Sequence, residues 1–124
     1  MILGIAGSRS LELPLPDEIM PPYIDTIISG GAKGIDRCAR NYALRNRIGM
    51  LEILPEYELY GRHAPLLRND WIIRLCDMMY IFWDGKSRGS DYVIKKCIET
   101  ETPHKVFIFK DGKYVPMKEC PYEK

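Results

Sequence analysis

Five short runs of this chain are apolar at nearly every position, rather than alternating between apolar and polar residues. The runs span residues 2–6, 25–28, 50–54, 78–83 and 106–109. Continuous apolar runs of this length are typical of strands that are covered on both faces, as the strands of parallel sheets are. The pattern therefore predicts a parallel β-sheet as the framework of the fold.

The segments between the runs carry apolar residues at helical spacing. The first helix has one apolar face, formed by Ile35, Cys38, Ala39, Tyr42 and Ala43. We expect this helix to end at Gly49. Pro65 suits the first turn of a second helix. In that helix Leu67, Trp71 and Leu75 form one apolar side.

A third helix is predicted from near Ser90 to the residues before Pro103. Strand–helix alternation implies right-handed crossovers and helices on both faces of the sheet. The pair Asp111-Gly112 between apolar neighbours predicts a hairpin. Together these signals predict a single Rossmann-like α/β domain over residues 1–124, with an open parallel sheet of about five strands and a short C-terminal antiparallel hairpin at its edge.

The first crossover, residues 10–23, departs from this regularity. It contains four prolines, Pro14, Pro16, Pro21 and Pro22, which cannot lie in one regular helix. We therefore expect mostly extended chain, and a sheet face that is thinly covered. Two interpretations stay open: an ordinary surface loop, or a bared apolar face through which two copies of the chain dimerise.

Ligands of open parallel sheets bind beyond the carboxyl ends of the strands, where every strand–helix turn emerges. Glycine-bearing turns follow three of the predicted strands, at residues 7–9, 29–34 and 84–90. Each turn offers backbone N–H groups, small residues and a Lys or Arg, and two of them open a helix with a positively polarised N-terminus. The rim therefore predicts a site for phosphate or another anion.

Two known phosphate-binding fingerprints are absent. Tyr80 stands where the P-loop motif would need its first glycine before Gly85-Lys86-Ser87. The dinucleotide fingerprint G-x-G-x-x-G would need glycine in place of Ser29, so Gly31 and Gly34 supply only its second half. The rim predicts an anion site without naming a cofactor.

Asp36 and Asp84 are the two candidates for a catalytic role. Asp36 lies in the first turn of a helix, where it either complements the helix dipole or holds a sugar hydroxyl or a cation. Asp84 ends the most apolar strand, where it either caps the following turn or acts on a ligand. No resident metal is predicted, and Mg²⁺ accompanying a nucleotide is the one cofactor left open.

The composition limits the partners and the compartment. Eighteen Lys and Arg against seventeen Asp and Glu give a net charge of +1, which does not favour a nucleic-acid partner. No apolar run reaches the roughly 18 residues of a membrane span, and no basic leader opens the chain. Cys38, Cys76, Cys97 and Cys120 form no C-x-x-C pair, and the first three fall in helical segments. We expect reduced thiols and a cytoplasmic location.

Four strings of the sequence resemble motifs of the SLOG superfamily, which joins the DprA (Smf) proteins with the LOG proteins. They are I-A-G-S-R at 5–9, S-G-G-A-K-G-I-D at 29–36, R-N at 68–69 and F-W-D-G-K-S-R-G-S at 82–90. The chain is most similar to the small YpsA/YspA-related branch. The resemblance implies a Rossmann-like fold, a site for a nucleotide or nucleotide-derived ligand, and a homodimer.

The rim and the resemblance together give one set of ligand-binding candidates. These are Gly7, Ser8, Arg9, Ser29, Gly30, Gly31, Lys33, Gly34, Asp36, Arg68, Asn69, Asp84, Gly89 and Ser90. One departure bears on activity. LOG phosphoribohydrolases, which cut the base from a nucleotide, carry P-G-G-x-G-T-x-x-E in their last loop, and Val93 stands where the glutamate belongs. Valine cannot act as an acid or a base.

Three functional hypotheses follow. The first is binding of a nucleotide or a derivative, with Arg9 and Lys33 meeting phosphate. The second is hydrolysis of a nucleotide N-glycosidic bond, with Asp84 or Asp36 in place of the missing glutamate. The third is DprA-like binding of single-stranded DNA through the basic residues Lys33, Arg37, Arg40, Arg45 and Arg47.

Overall fold

The computed structural model describes residues 1–117 and has an α/β fold built on one six-stranded sheet. The strands are β1 (Ile2–Gly7), β2 (Thr26–Ser29), β3 (Gly49–Glu52), β4 (Met78–Trp83), β5 (His104–Lys110) and β6 (Lys113–Pro116). Their order across the sheet is β3-β2-β1-β4-β5-β6. All neighbouring strands are parallel except β5 and β6, which form the antiparallel hairpin. The predicted Rossmann-like α/β class is confirmed.

The helices are α1 (Ile35–Asn46), α2 (Tyr57–Tyr60), α3 (Ala64–Leu75) and α4 (Arg88–Glu99). The short α2 was not predicted. Helix α1 ends before the expected Gly49, because Arg47 takes the left-handed conformation that terminates it, and Gly49 instead begins β3. The longest helices have 12 residues, and no helix in residues 1–117 is long and apolar enough to cross a bilayer.

The sheet is covered on two sides by different elements. Helix α1 and the first crossover pack on one face, around Leu3, Ile5 and Phe82. Helices α3 and α4 pack on the other face, around Ile28 and Ile81. The edge strand β3 departs from the expectation of burial on both faces, since its residues alternate between exposed and half-buried positions. An edge strand has a neighbour on one side only, so its outward side chains stay in water.

The first crossover closes the face that the sequence left open. Leu11, Leu15 and Met20 are buried in the same apolar cluster as Leu3 and Ile5 of β1. A hydrogen bond of 2.7 Å from the Tyr114 hydroxyl to the Leu13 carbonyl oxygen ties the crossover to the C-terminal hairpin. The expectation of thin cover is therefore wrong, and so is the interpretation of a bared apolar face in this region. Proline-rich chain replaces the missing helix as the covering layer.

Helix α3 buries the side opposite to the one that the sequence predicts. Its buried residues are Ala64, Arg68, Ile72 and Ile73. Leu67, Trp71 and Leu75 are 37%, 52% and 46% exposed, so the predicted apolar side faces outward. The sequence suggested the wrong face because Arg68 is long enough to bury its stem and still reach polar partners.

The cysteines follow the prediction with one correction. Cys38 lies in α1 and Cys97 in α4, whereas Cys76 comes directly after the end of α3. All three are free thiols, and Cys38 and Cys97 are buried. Cys120 lies outside the described residues.

Candidate functional site

The strand–helix turns of β1, β2 and β4 meet at one rim of the sheet. The Ser8 amide donates to the Phe82 carbonyl oxygen at 2.9 Å, which joins the ends of β1 and β4. The Ile35 amide donates to the Ser8 carbonyl oxygen at 3.4 Å, which joins the start of α1 to the same point. The rim encloses a cavity of about 430 Å³, which we call the rim cleft.

Ten of the fourteen candidate residues line the rim cleft, and they come from every predicted turn. They are Gly7, Ser8, Arg9, Gly30, Asp36, Arg68, Asn69, Asp84, Gly89 and Ser90. The cleft is also lined by residues that were not among the candidates, including Ser10, Ala32 and Ser87. Val93 lies in its wall and is 1% exposed, so the position at which LOG phosphoribohydrolases carry a glutamate has no proton-transfer group in this chain.

A second cavity of about 360 Å³ adjoins the first, and we call it the shelf cavity. Its lining residues are Arg9, Gly30, Gly31, Ala32, Lys33, Leu54, Pro55, Tyr57 and Arg68. Arg9, Gly30, Ala32 and Arg68 line both cavities, so the two spaces share these four residues. Leu54, Pro55 and Tyr57 were missed by the sequence analysis. The one available signal was the aromatic string Tyr-Glu-Leu-Tyr after Pro55.

Two glycines of the rim allow close contacts that a side chain would prevent. A Cβ atom on Gly30 would collide with the guanidinium group of Arg68. Gly34 has a φ of +78°, and a Cβ atom there would lie 2.6 Å from the backbone oxygen of Arg9. Gly34 lines neither cavity. Its missing side chain allows the turn at residues 29–34 to contact the turn at residues 7–9.

Ser29 also lies away from both cavities. Its hydroxyl group is fully buried, and within residues 1–117 it has no hydrogen-bond partner. The structure thus brings Ser29 and Gly34 to the turn but not to the cavity walls.

Three serine hydroxyl groups cluster where α4 begins. The Ser8 Oγ lies 3.0 Å from the Ser87 Oγ and 3.5 Å from the Ser90 Oγ, and it accepts a hydrogen bond of 2.9 Å from the Asp84 amide. Ser8 and Ser90 are almost fully buried. Hydroxyl groups at a helix N-terminus can donate to an anion, so this cluster forms one polar end of the rim cleft.

Asp84 caps the turn that contains it. Its carboxylate accepts hydrogen bonds from the Ser10 hydroxyl at 2.7 Å and from the Lys86 and Ser87 amides at 2.8 Å each. Burial by itself raises the pKa of Asp84, but these hydrogen bonds and one from Ser8 outweigh it and lower the pKa to about 2. Asp84 is therefore ionised at neutral pH and holds no proton to transfer.

The pKa of Asp36 is shifted in the opposite direction from that of Asp84. Asp36 is 8% exposed, and one carboxylate oxygen accepts a hydrogen bond of 3.1 Å from the Ala32 amide. Burial raises the pKa of Asp36 to about 6, despite the opposing effects of the Ala32 amide and of the Arg68 and Arg9 charges. Its carboxyl group can exchange a proton near neutral pH.

Arg68 is a buried cation with part of its guanidinium unpaired. The residue is 8% exposed. Its Nη1 donates to the Gly30 carbonyl oxygen at 2.6 Å and to the Ile53 carbonyl oxygen at 3.5 Å. Its Nε donates to the Asn69 side-chain oxygen at 2.9 Å. Within residues 1–117, Nη2 has no hydrogen-bond partner and no carboxylate oxygen lies within 4.0 Å of the group. Burial lowers the pKa of Arg68, opposed by the charge of Asp36.

The basic residues named for DNA binding are partly engaged inside the protein. Arg40 makes a bidentate ion pair with Glu52, with its shortest N–O distance at 2.8 Å. Arg45 donates to the Leu15 carbonyl oxygen at 3.3 Å and lies over the Tyr42 ring. Lys33, Arg37 and Arg40 are exposed, but of these only Lys33 lines a cavity of the rim.

No set of three His, Cys, Asp or Glu side chains in residues 1–117 is placed to hold a metal ion. Comparison of the whole chain with protein-family models, curated proteins and solved structures finds no match. The resemblance to the SLOG superfamily therefore rests on the four motifs of the sequence and stays a prediction.

Proposed function

We propose that this protein binds a nucleotide or a nucleotide-derived anion in the rim cleft. The observation that supports this most strongly is the guanidinium group of Arg68, which lines the cleft and whose Nη2 makes no hydrogen bond within residues 1–117. The charge of Asp36 acts on Arg68, but no carboxylate oxygen in residues 1–117 lies within 4.0 Å of the guanidinium group. Buried charged groups in folded proteins are usually paired and hydrogen-bonded directly. An anionic ligand in the cleft supplies a direct ion pair and an acceptor for Nη2.

The remaining donors of the cleft suit a phosphate group. The Ser8 hydroxyl lies 3.5 Å from the Ser90 hydroxyl at the start of α4, and Arg9 and Arg68 line the same cleft. Guanidinium groups bind phosphate through two parallel hydrogen bonds, and a helix N-terminus adds a favourable field. In this proposal the phosphate lies between Arg9, Arg68 and the serine cluster.

Isothermal titration with nucleoside monophosphates tests the proposal. We expect Arg9→Gln to weaken binding about tenfold or more, since a hydrogen bond to a charged group contributes about 1.5–3 kcal/mol. Arg74→Gln is the matched control, because Arg74 is exposed on the outer side of α3 and lines neither cavity of the rim. Absence of binding to every nucleotide at millimolar concentration, or equal binding by the Arg9 variant, contradicts the proposal.

Hydrolysis of a nucleotide N-glycosidic bond is the second candidate, and Asp36 is the observation that favours it. With a pKa raised to about 6 by burial, its carboxyl group can donate a proton to the departing base. Water then adds its oxygen to the anomeric carbon and releases a proton. Chromatography for free base tests this candidate, which predicts product with Asp84→Asn and none with Asp36→Asn. Product formed equally by both variants contradicts it.

We further propose a cytoplasmic homodimer that forms through the outer side of α3. Leu67, Trp71 and Leu75 place three exposed apolar side chains on that side, with the guanidinium of Arg74 over the Trp71 ring at 5.3 Å. Exposed apolar patches mark interaction surfaces. Light scattering should find a dimer, and Trp71→Glu should yield a monomer. A monomeric wild-type protein contradicts this proposal.

A further inference from the structure

The shelf cavity combines three cations with an apolar wall. Arg9, Lys33 and Arg68 line it, and no Asp or Glu is among its described lining residues. Arg9 and Lys33 make no ion pair within residues 1–117. The cavity therefore favours a ligand that carries negative charge.

The apolar wall consists of Leu54, Pro55 and Tyr57. Leu54 is 63% exposed and Tyr57 is 54% exposed. Leu54 packs against the turn, because a Cβ atom on Gly31 would lie 2.6 Å from its Cδ2 atom. Single exposed apolar residues are common, but an aliphatic and an aromatic side chain that line one cationic cavity offer a surface for a planar ring.

The shelf cavity and the rim cleft are neighbours, since Arg68 and Arg9 line both of them. We propose that Tyr57 is a stacking platform for the base of a nucleoside 5′-phosphate whose phosphate group lies in the rim cleft. This inference rests on the proposed function and adds the ligand class, because it requires a heteroaromatic ring joined to the anion. A sugar phosphate without a base then binds through the rim cleft alone.

The experiment compares adenosine 5′-monophosphate with ribose 5-phosphate by isothermal titration at low salt. Loss of an aromatic stacking partner weakens binding of a base about tenfold. We therefore expect Tyr57→Ala to weaken binding of adenosine 5′-monophosphate by about that factor, with less than a twofold change for ribose 5-phosphate. Tyr57→Phe should retain the wild-type preference, since the ring and not the hydroxyl group makes the contact.

Tyr60→Ala is the matched control, because Tyr60 lies on the same short helix, is 48% exposed and lines neither rim cavity. It should leave both affinities unchanged. If wild-type protein binds the two ligands equally, or Tyr57→Ala weakens both by the same factor, the stacking platform is wrong and the anion site stands. If wild-type protein binds neither ligand, both the proposed function and this inference are overturned.

Discussion

Asp36 follows β2 and Asp84 follows β4, so both carboxyl groups lie at the same rim and line the same cleft. Asp84 accepts hydrogen bonds from Ser10, Lys86 and Ser87, while Asp36 accepts one from the Ala32 amide. The pKa of the first is lowered to about 2, and the pKa of the second is raised to about 6. The number of donors and the depth of burial separate them.

The two turns that carry these aspartates differ in the same way. The turn at residues 84–90 is organised by its own aspartate and presents serine hydroxyls and a helix N-terminus. The turn at residues 29–36 is packed against Arg9 and Arg68 and keeps a carboxyl group that can change its charge near neutral pH. In the proposed function, the turn at residues 84–90 therefore offers fixed donors to the anion, whereas the turn at residues 29–36 offers a carboxyl group whose charge depends on pH.

The largest expected effect compares two glycines with similar φ values. Gly34 has a φ of +78° and Gly85 a φ of +84°, but only Gly34 has neighbouring atoms within 4 Å of an added Cβ. We expect Gly34→Ala to lower the free energy of unfolding by about 3 kcal/mol, and Gly85→Ala by about 1 kcal/mol. Urea denaturation measures both values. Equal losses would show that the contact between the Gly34 turn and Arg9 is loose.

Asp36→Asn is expected to stabilise the protein at pH 7. The pKa of Asp36 is about 6 in the folded protein and 3.8 ordinarily. Its contribution to the free energy of unfolding is therefore most favourable below about pH 4. The contribution falls as the pH rises to about 6 and is constant at higher pH. Removing the charge should raise the free energy of unfolding by about 1–2 kcal/mol at pH 7 and change little below pH 4. A loss of stability at pH 7 contradicts the burial argument.

Asp84→Asn is expected to have the opposite sign. The pKa of Asp84 falls from 3.8 to about 2 on folding, so its stabilisation is complete above about pH 4 and is lost as the pH falls through about 2. We expect a loss of about 1 kcal/mol at pH 7, allowing for partial solvent screening. Denaturation at pH 7 and at pH 2 checks this, and an equal loss at both values rules out the charge as its cause.

Ser10→Ala gives the smallest effect and isolates one donor of the Asp84 cap. The Ser10 hydroxyl is exposed and donates only to Asp84 among its described contacts. Its loss should raise the pKa of Asp84 toward the ordinary value and cost about 0.5 kcal/mol. Carboxyl titration followed by NMR measures the shift. An unchanged pKa would leave the Ser8 hydroxyl and the backbone amides of Lys86 and Ser87 as the groups that lower it.

The order of strands and helices follows from the sequence by itself. Continuous apolar runs, helical spacing and glycine turns are local patterns, and they were sufficient for the sheet, the three long helices and the C-terminal hairpin. The same patterns place Gly7, Ser8, Gly30 and Asp84 at one rim, because parallel strands deliver all their carboxyl ends to the same edge.

Tertiary structure alone decided which surfaces are buried and which groups are charged. Three features depend on residues distant in sequence. They are the side of α3 that faces outward, the covering of one sheet face by residues 10–23, and the shelf cavity that Tyr57 lines. The contrast between Asp36 and Asp84 has the same origin. A side chain's burial and its hydrogen-bond donors come from segments folded against it, whereas local spacing fixes only the element that carries it.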